Sequence, residues 1–118
     1  MSTQIVATFD NKLYYKTYNI LKSLGLKSGH SGTKLIIKSV LLKIKQEDIL
    51  VYEDVYSIIS KDIKLPNSQI RNNIKYAIDN RSKNLSKSNF ENIFGYEYDE
   101  FLFTNKEFIE ELSRVINF

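Results

Sequence analysis

Cysteine is absent from the 118 residues, which excludes disulfide staples, thiolate metal sites and cysteine nucleophiles. Histidine occurs once, as His30, which excludes a His-rich metal cluster, and no Ser/His/Asp set or His/Asp/Glu cluster in the sequence supports it as a catalyst. No window approaches the roughly 18 apolar residues of a membrane span. The opening MSTQIVATFDNK has neither the basic flank nor the long apolar run of a leader peptide. A cytoplasmic chain with no membrane partner and no cofactor is expected. Proline occurs once, at Pro66, and no repeat or low-complexity tract divides the chain.

What is present suits one folded domain. A chain of this length buries roughly two-thirds of the surface exposed by its unfolded form, and 42% hydrophobic residues, with aromatics at 13%, supply one core. Charge is distributed unevenly. Residues 1–96 carry 15 Lys and Arg against 8 Asp and Glu, a net of +7, whereas residues 97–118 carry 2 against 6, a net of −4. A basic body with an acidic end is the footprint of a protein that turns one side to a polyanion. An unevenly charged but merely solvated surface is the plain alternative.

Apolar spacing predicts six helices and little sheet. Residues 1–11 read as an N-terminal arm and 12–118 as the helical domain. The first helix covers 11–24, with Leu13, Thr17, Ile20, Leu21 and Leu24 on one face and Gly25 ending it. GLKSGHSG then reads as a loop, and a second helix covers 33–45 with lysines around an apolar stripe. A third, 51–61, leads through DIKLP to a fourth at 67–81, where Asn67 or Ser68 can cap. A fifth is expected from Ser86 or Ser88, with a Ser88/Glu91 capping box, and 97–103 as an irregular connection. The last begins at a Thr104/Glu107 capping box. Tyr96, Tyr98, Phe101 and Phe103 are expected in the core or at a partner contact.

The third and fourth helices have the outline of a helix-turn-helix. On the fourth, NSQIRNNIKYAIDNR, the residues Ile70, Ile74, Ala77 and Ile78 share an inner face, while Ser68, Gln69, Asn72, Lys75, Tyr76 and Asp79 face outward. Amides donate and accept together, so Gln69 and Asn72 suit bidentate pairing with an adenine edge, worth about 1–3 kcal/mol of discrimination. Lys75 can reach a guanine or a phosphate, Arg71 flanks it, and the Tyr76 hydroxyl can meet a phosphate. Lys34 and Lys38 are candidate sequence-independent phosphate contacts. Asp79 fits only if its end of the helix leaves the groove. An ordinary polar surface helix is the competing explanation. The SGHSGT loop could offer backbone N–H groups to a phosphate, although it matches neither a P-loop nor a nucleophile elbow.

Four segments carry a further likeness: LGLKSGHSG at 24–32, VYSIISKDIKLPNSQIRNNIKYAI at 55–78, FGY at 94–96 and TNKEFI at 104–109. Together they resemble the C-terminal DNA-binding domain of the stage-zero sporulation response regulator A. The resemblance implies a six-helix all-α domain binding double-stranded DNA, often as two copies on tandem sites, with contacts to RNA polymerase. It places Ser68, Gln69, Arg71, Asn72, Lys75 and Tyr76 on the recognition helix. The family has arginine where this chain has Gln69, Asn72 and Lys75, glutamate at Arg71 and histidine at Tyr76, so a different target sequence is expected. The family's receiver domain has no counterpart in QIVATFD, and phosphorylation control is not expected; the arm is read as disordered or as a strand at a dimer interface. A non-enzymatic transcriptional regulator is the leading expectation. Its rivals are a protein-interaction module antagonising a full-length regulator and a plasmid or phage maintenance factor.

Overall fold

The computed structural model describes residues 2–46 and 48–117, with side chains from Asn11 onward except that of Tyr52. Six α-helices account for most of it: α1 Ser2–Ser23, α2 Ser31–Lys45, α3 Tyr56–Ile63, α4 Asn67–Asp79, α5 Lys83–Phe94 and α6 Asn105–Ile116. A π-helical turn, Val51–Val55, leads into α3, and a 3₁₀ turn, Glu100–Leu102, precedes α6. Among the described residues there is no strand, so the all-α, six-helix expectation holds. Nor is any described helix long and apolar enough to cross a membrane.

Helix α2 is the central element, packed against α1, α4 and α6. Its buried stripe, Leu35, Ile36, Ile37 and Val40, recurs at the spacing that keeps one helical face inward. Ser39 is buried too, and its hydroxyl donates to the Leu35 carbonyl at 2.8 Å, so no polar group is stranded. Gly25, at φ +93, ends α1; its N–H bonds to Lys22 O and that of Leu26 to Leu21 O, the paired bonds of a left-handed helix stop. There is no room for a Cβ at this position, which would lie 2.4 Å from the Ser82 carbonyl. That close approach docks the start of α5 on the end of α1, reinforced by Ser86 Oγ donating to Leu24 O and Asn89 Nδ2 to Ser23 O.

Several boundaries differ from the expectations. Backbone helix begins at Ser2, so the stretch read as a disordered arm or strand continues α1; what its side chains touch lies outside the described residues. Helix α2 starts at Ser31, two residues early, because the loop closes against α4. The N-cap of α5 is Ser82, whose hydroxyl accepts from Leu85 N–H at 3.3 Å, leaving Ser88 inside the helix. Thr104 does occupy the N-cap of α6, but its side chain makes no capping bond. Likewise Pro66 takes the N-cap position of α4, and the Asn67 amide donates to Ser57 Oγ at 3.3 Å instead.

Candidate nucleic-acid interface

The turn between α3 and α4 is only three residues, Lys64 to Pro66. Lys64 makes the reversal in the left-handed region, φ 58 and ψ 43, a conformation in which a Cβ is crowded. Ser60 Oγ donates to the Leu65 carbonyl across the same corner. Pro66, at φ −61 and ψ 148, is extended and pre-set for a helix beginning at Asn67. Sequence and geometry therefore agree on a helix-turn-helix.

Helix α4 buries Ile70, Ile74, Ala77 and Ile78, each at most 1% exposed. Its closest support is α2: a Cβ on Gly32 would fall 1.9 Å from the Asn73 carbonyl, so the two backbones nearly touch. From the other side, Asn105 of α6 donates through Nδ2 to the Arg71 carbonyl at 3.0 Å. The inner half of α4 is thus fixed by three elements, α2, α3 and α6.

Ser68, Gln69, Arg71, Asn72, Lys75 and Tyr76 are all exposed, as expected of a reading face. A hollow of about 380 Å³ bounded by Gly29, His30, Ser31, Gly32, Asn73 and Tyr76 lies on one side of the helix. On the other, a hollow of about 200 Å³ is bounded by Arg71, Lys75, Asp79, Phe103, Thr104 and Asn105. Between them α4 stands as a ridge, the shape required to enter a major groove about 12 Å wide.

Not every outward group is free to act alone. Lys75 Nζ lies 2.9 Å from Asp79 Oδ2, an exposed i,i+4 pair. Lys75 therefore carries its own counter-charge, which a phosphate would have to displace. The Tyr76 ring, 58% exposed, stands edge-on to His30 at 5.1 Å between centroids, so the glycine-flanked loop buttresses this side of the ridge. Lys34 is exposed on α2, whereas Lys38 is half-buried and faces Asp62 of α3 at 3.8 Å. The eight candidate residues do not form one cluster: six line α4, and two lie on α2.

Arg81 escaped the reading of the sequence. It is 6% exposed, just past α4, and all three guanidinium nitrogens are engaged. Nε donates to Ser86 Oγ at 2.9 Å and Nη1 to the Ile78 carbonyl at 2.9 Å; Nη2 reaches Tyr98 Oη at 3.1 Å and Glu100 Oε2 at 3.0 Å. The guanidinium also stacks over the Phe103 ring at 3.6 Å. It welds the end of the ridge to α5 and to the 98–103 segment. Hydrogen bonds from Tyr98 and then Arg81 hold the Glu100 carboxyl below its usual range. Only the pairing of Arg81 with an acid-rich segment some 20 residues later hinted at this.

The aromatic expectation divides. Phe103 is buried, and Tyr98, half-buried, packs near Phe90 at 5.3 Å between centroids. Tyr96 is 39% exposed and donates to Glu111. Phe101 is not a core residue at all: it is 85% exposed, because the 3₁₀ turn points its ring outward while Leu102 and Phe103 anchor inward.

A comparison with family models finds a match to the Sporulation initiation factor Spo0A C terminal family over residues 17–116. No curated protein and no solved structure matches. The matched region contains the whole helix-turn-helix, the ridge and the Arg81 latch, and begins within α1. Covering 100 of 118 residues, the match shows that the chain belongs to the Spo0A C-terminal family, a DNA-binding regulatory domain of sporulation factors.

Proposed function

We propose that the protein is a sequence-specific regulator that inserts α4 into the major groove of double-stranded DNA. The observation that carries this reading is the composition of the exposed ridge: two amide side chains, Gln69 and Asn72, stand among Ser68, Arg71, Lys75 and Tyr76 on a helix whose opposite face is entirely buried. Amides read base edges, and cations and hydroxyls position the helix on the backbone. Lys34 supplies a phosphate contact from α2. Lys38 contributes when it leaves Asp62, because a phosphate offers a stronger anion than an exposed carboxylate 3.8 Å away.

Family membership supports DNA as the partner, and the residues on the ridge support a target sequence of its own. Selection of bound sites from a random duplex library at two salt concentrations tests the proposal. A recovered motif that persists as salt rises supports base reading. Recovery of no motif, with affinity governed by salt alone, would reduce the ridge to a non-specific electrostatic surface.

A further inference from the structure

A helix with its side chains is about 10–12 Å across, and the major groove that receives it is about 12 Å wide. An inserted helix therefore fills the groove from wall to wall, and the sugar–phosphate backbone of each strand runs along one of its flanks. With α4 inserted as proposed above, on which this inference rests, the two hollows beside it are where those backbones lie. Their chemistry differs.

The hollow of about 380 Å³ beside the 29–32 loop is lined by no lysine, arginine or carboxylate. Apart from His30, whose ring is engaged edge-on by Tyr76, the hydrogen-bonding side chains around it are those of Asn73, Ser31 and Tyr76. None of these three side chains has a hydrogen-bond partner among the described residues. Asn67, Asn80, Asn89 and Asn105 each donate their amide to another group of the chain, whereas the Asn73 amide is left for a partner. It is half-buried, while Gln69 and Asn72 are exposed, so it sits at the foot of the ridge, beside a groove wall and below the residues that reach base edges. Its backbone is pinned by Gly32, on which a Cβ would lie 1.9 Å from the Asn73 carbonyl. An amide hung from a fixed backbone loses less freedom when it bonds.

The hollow of about 200 Å³ on the opposite flank is charged. Lys75 there is paired with Asp79. Arg71, exposed and with no side-chain partner among the described residues, is its available cation.

We propose that α4 holds the two DNA strands by different chemistry. A phosphate of one strand is seated by neutral donors, Asn73 Nδ2 with the Ser31 and Tyr76 hydroxyls, and a phosphate of the other strand by the Arg71 guanidinium. All of these groups donate to phosphate oxygens. Only the Arg71 contact displaces a condensed counterion. Affinity gained on the Asn73 flank is therefore insensitive to salt, and affinity gained on the Arg71 flank falls as salt rises. Asn73 positions the helix and reads no base.

The test is binding of the full chain to its selected duplex over a range of salt, at pH 8, above the titration range of ordinary histidine. A set of duplexes carries an uncharged methylphosphonate in place of one phosphate at a time. Asn73→Ala should weaken binding about tenfold, typical of one hydrogen bond to a charged group, at an unchanged salt slope. Arg71→Gln should reduce the slope by about one. Replacing one particular phosphate should abolish the further effect of Asn73→Ala and also that of Ser31→Ala, and a phosphate of the other strand should do the same for Arg71→Gln. Circular dichroism checks that the variants stay helical, and Ser31→Ala carries the test on its flank if Asn73→Ala unfolds. Unchanged affinity in Asn73→Ala, a lowered salt slope or altered base preference in that variant, or coupling of Asn73 and Arg71 to the same strand would overturn the proposal while leaving DNA recognition by α4 intact. A chain that selects no site overturns it together with the reading on which it rests.

Discussion

The backbone of Gly32 in α2 lies against the Asn73 carbonyl of α4 so closely that a single added methyl group would sit 1.9 Å from that oxygen and 2.9 Å from the Ala77 methyl. Neither obstacle is the flexible end of a long side chain, so the helices themselves must separate. Gly32→Ala should therefore destabilise the fold by about 3 kcal/mol, at the upper end of overpacking costs, and tilt the ridge. Urea denaturation measures the first effect. A fall in DNA affinity at temperatures where the variant is fully folded reports the second.

Arg81 couples the ridge to the acidic turn. Arg81→Ala removes three hydrogen-bonded nitrogens and the stacking on Phe103, and should cost about 2–3 kcal/mol, typical for loss of a buried polar network. Glu100→Gln should cost less, about 1 kcal/mol, because the Glu100 side chain is 51% exposed and its pairing is screened by water. Thermal unfolding of the two variants and their double mutant checks the order. Equal losses from both would mean that the charge pair, rather than the packed guanidinium, holds this corner.

Lys64 adopts a left-handed conformation at the corner of the helix-turn-helix. Glycine reaches that region without crowding, although it loses more freedom on folding. Lys64→Gly is expected to stabilise the protein by about 0.5–1 kcal/mol, the net of those terms. A midpoint shift in urea at unchanged slope is the expected signature.

How much of this was legible beforehand depends on how local the signal was. The inner stripe of α4 and the exposure of Asn72 follow from helical spacing, which requires only neighbours within the same element. The Gly25 stop follows from one residue's backbone freedom. Arg81 could not be recognised in the same way: a lone arginine after a helix reads as solvated, and its burial depends on Tyr98, Glu100 and Phe103 converging from 17 to 22 positions away. Thr104 and Glu107 spell a capping box, yet the threonine side chain makes no cap bond; the spelling permits that bond without enforcing it. For Phe101 the sequence left core and partner contact open, and the choice is local to the turn: a 3₁₀ turn with roughly three residues per cycle sends one of three consecutive side chains outward.

Acid should loosen the acidic end of the molecule first. The Glu100 carboxyl is held below its ordinary 4.5 by hydrogen bonds from Tyr98 and Arg81, and that of Glu111 by Arg114 most of all. Since their folded values lie below the unfolded ones, the stabilisation is complete above 4.5 and is lost as pH falls through the folded values. Tyr96 behaves in the opposite sense: burial first, then its bond to Glu111, pushes its hydroxyl up to about 12. Its contribution is complete below 10 and is lost as pH rises through about 12. Stability measured against pH should fall at both ends, and Glu100→Gln should flatten the acid limb and also soften the alkaline one, because the Glu100 carboxylate helps to raise the Tyr98 hydroxyl, after burial.

The ridge and the α2 lysines should separate cleanly when DNA binding is measured on specific and random duplexes. Asn72→Ala removes an amide able to pair with a base edge, so it should cost about 1–3 kcal/mol on the selected site and little on random sequence. Gln69→Ala should act likewise at a neighbouring position of the site. Lys34→Ala removes a charge with no access to sequence, and should weaken both duplexes alike while reducing the salt slope by about one. Lys75→Ala is the informative intermediate, because its partner Asp79 would then be left facing the DNA unpaired. If Lys75 acts only through its charge, the double change with Asp79→Ala should recover part of the affinity lost by Lys75→Ala. If the lysine reads a guanine, affinity recovers but preference at one base pair does not, and a competition assay over single-base variants of the site distinguishes the two.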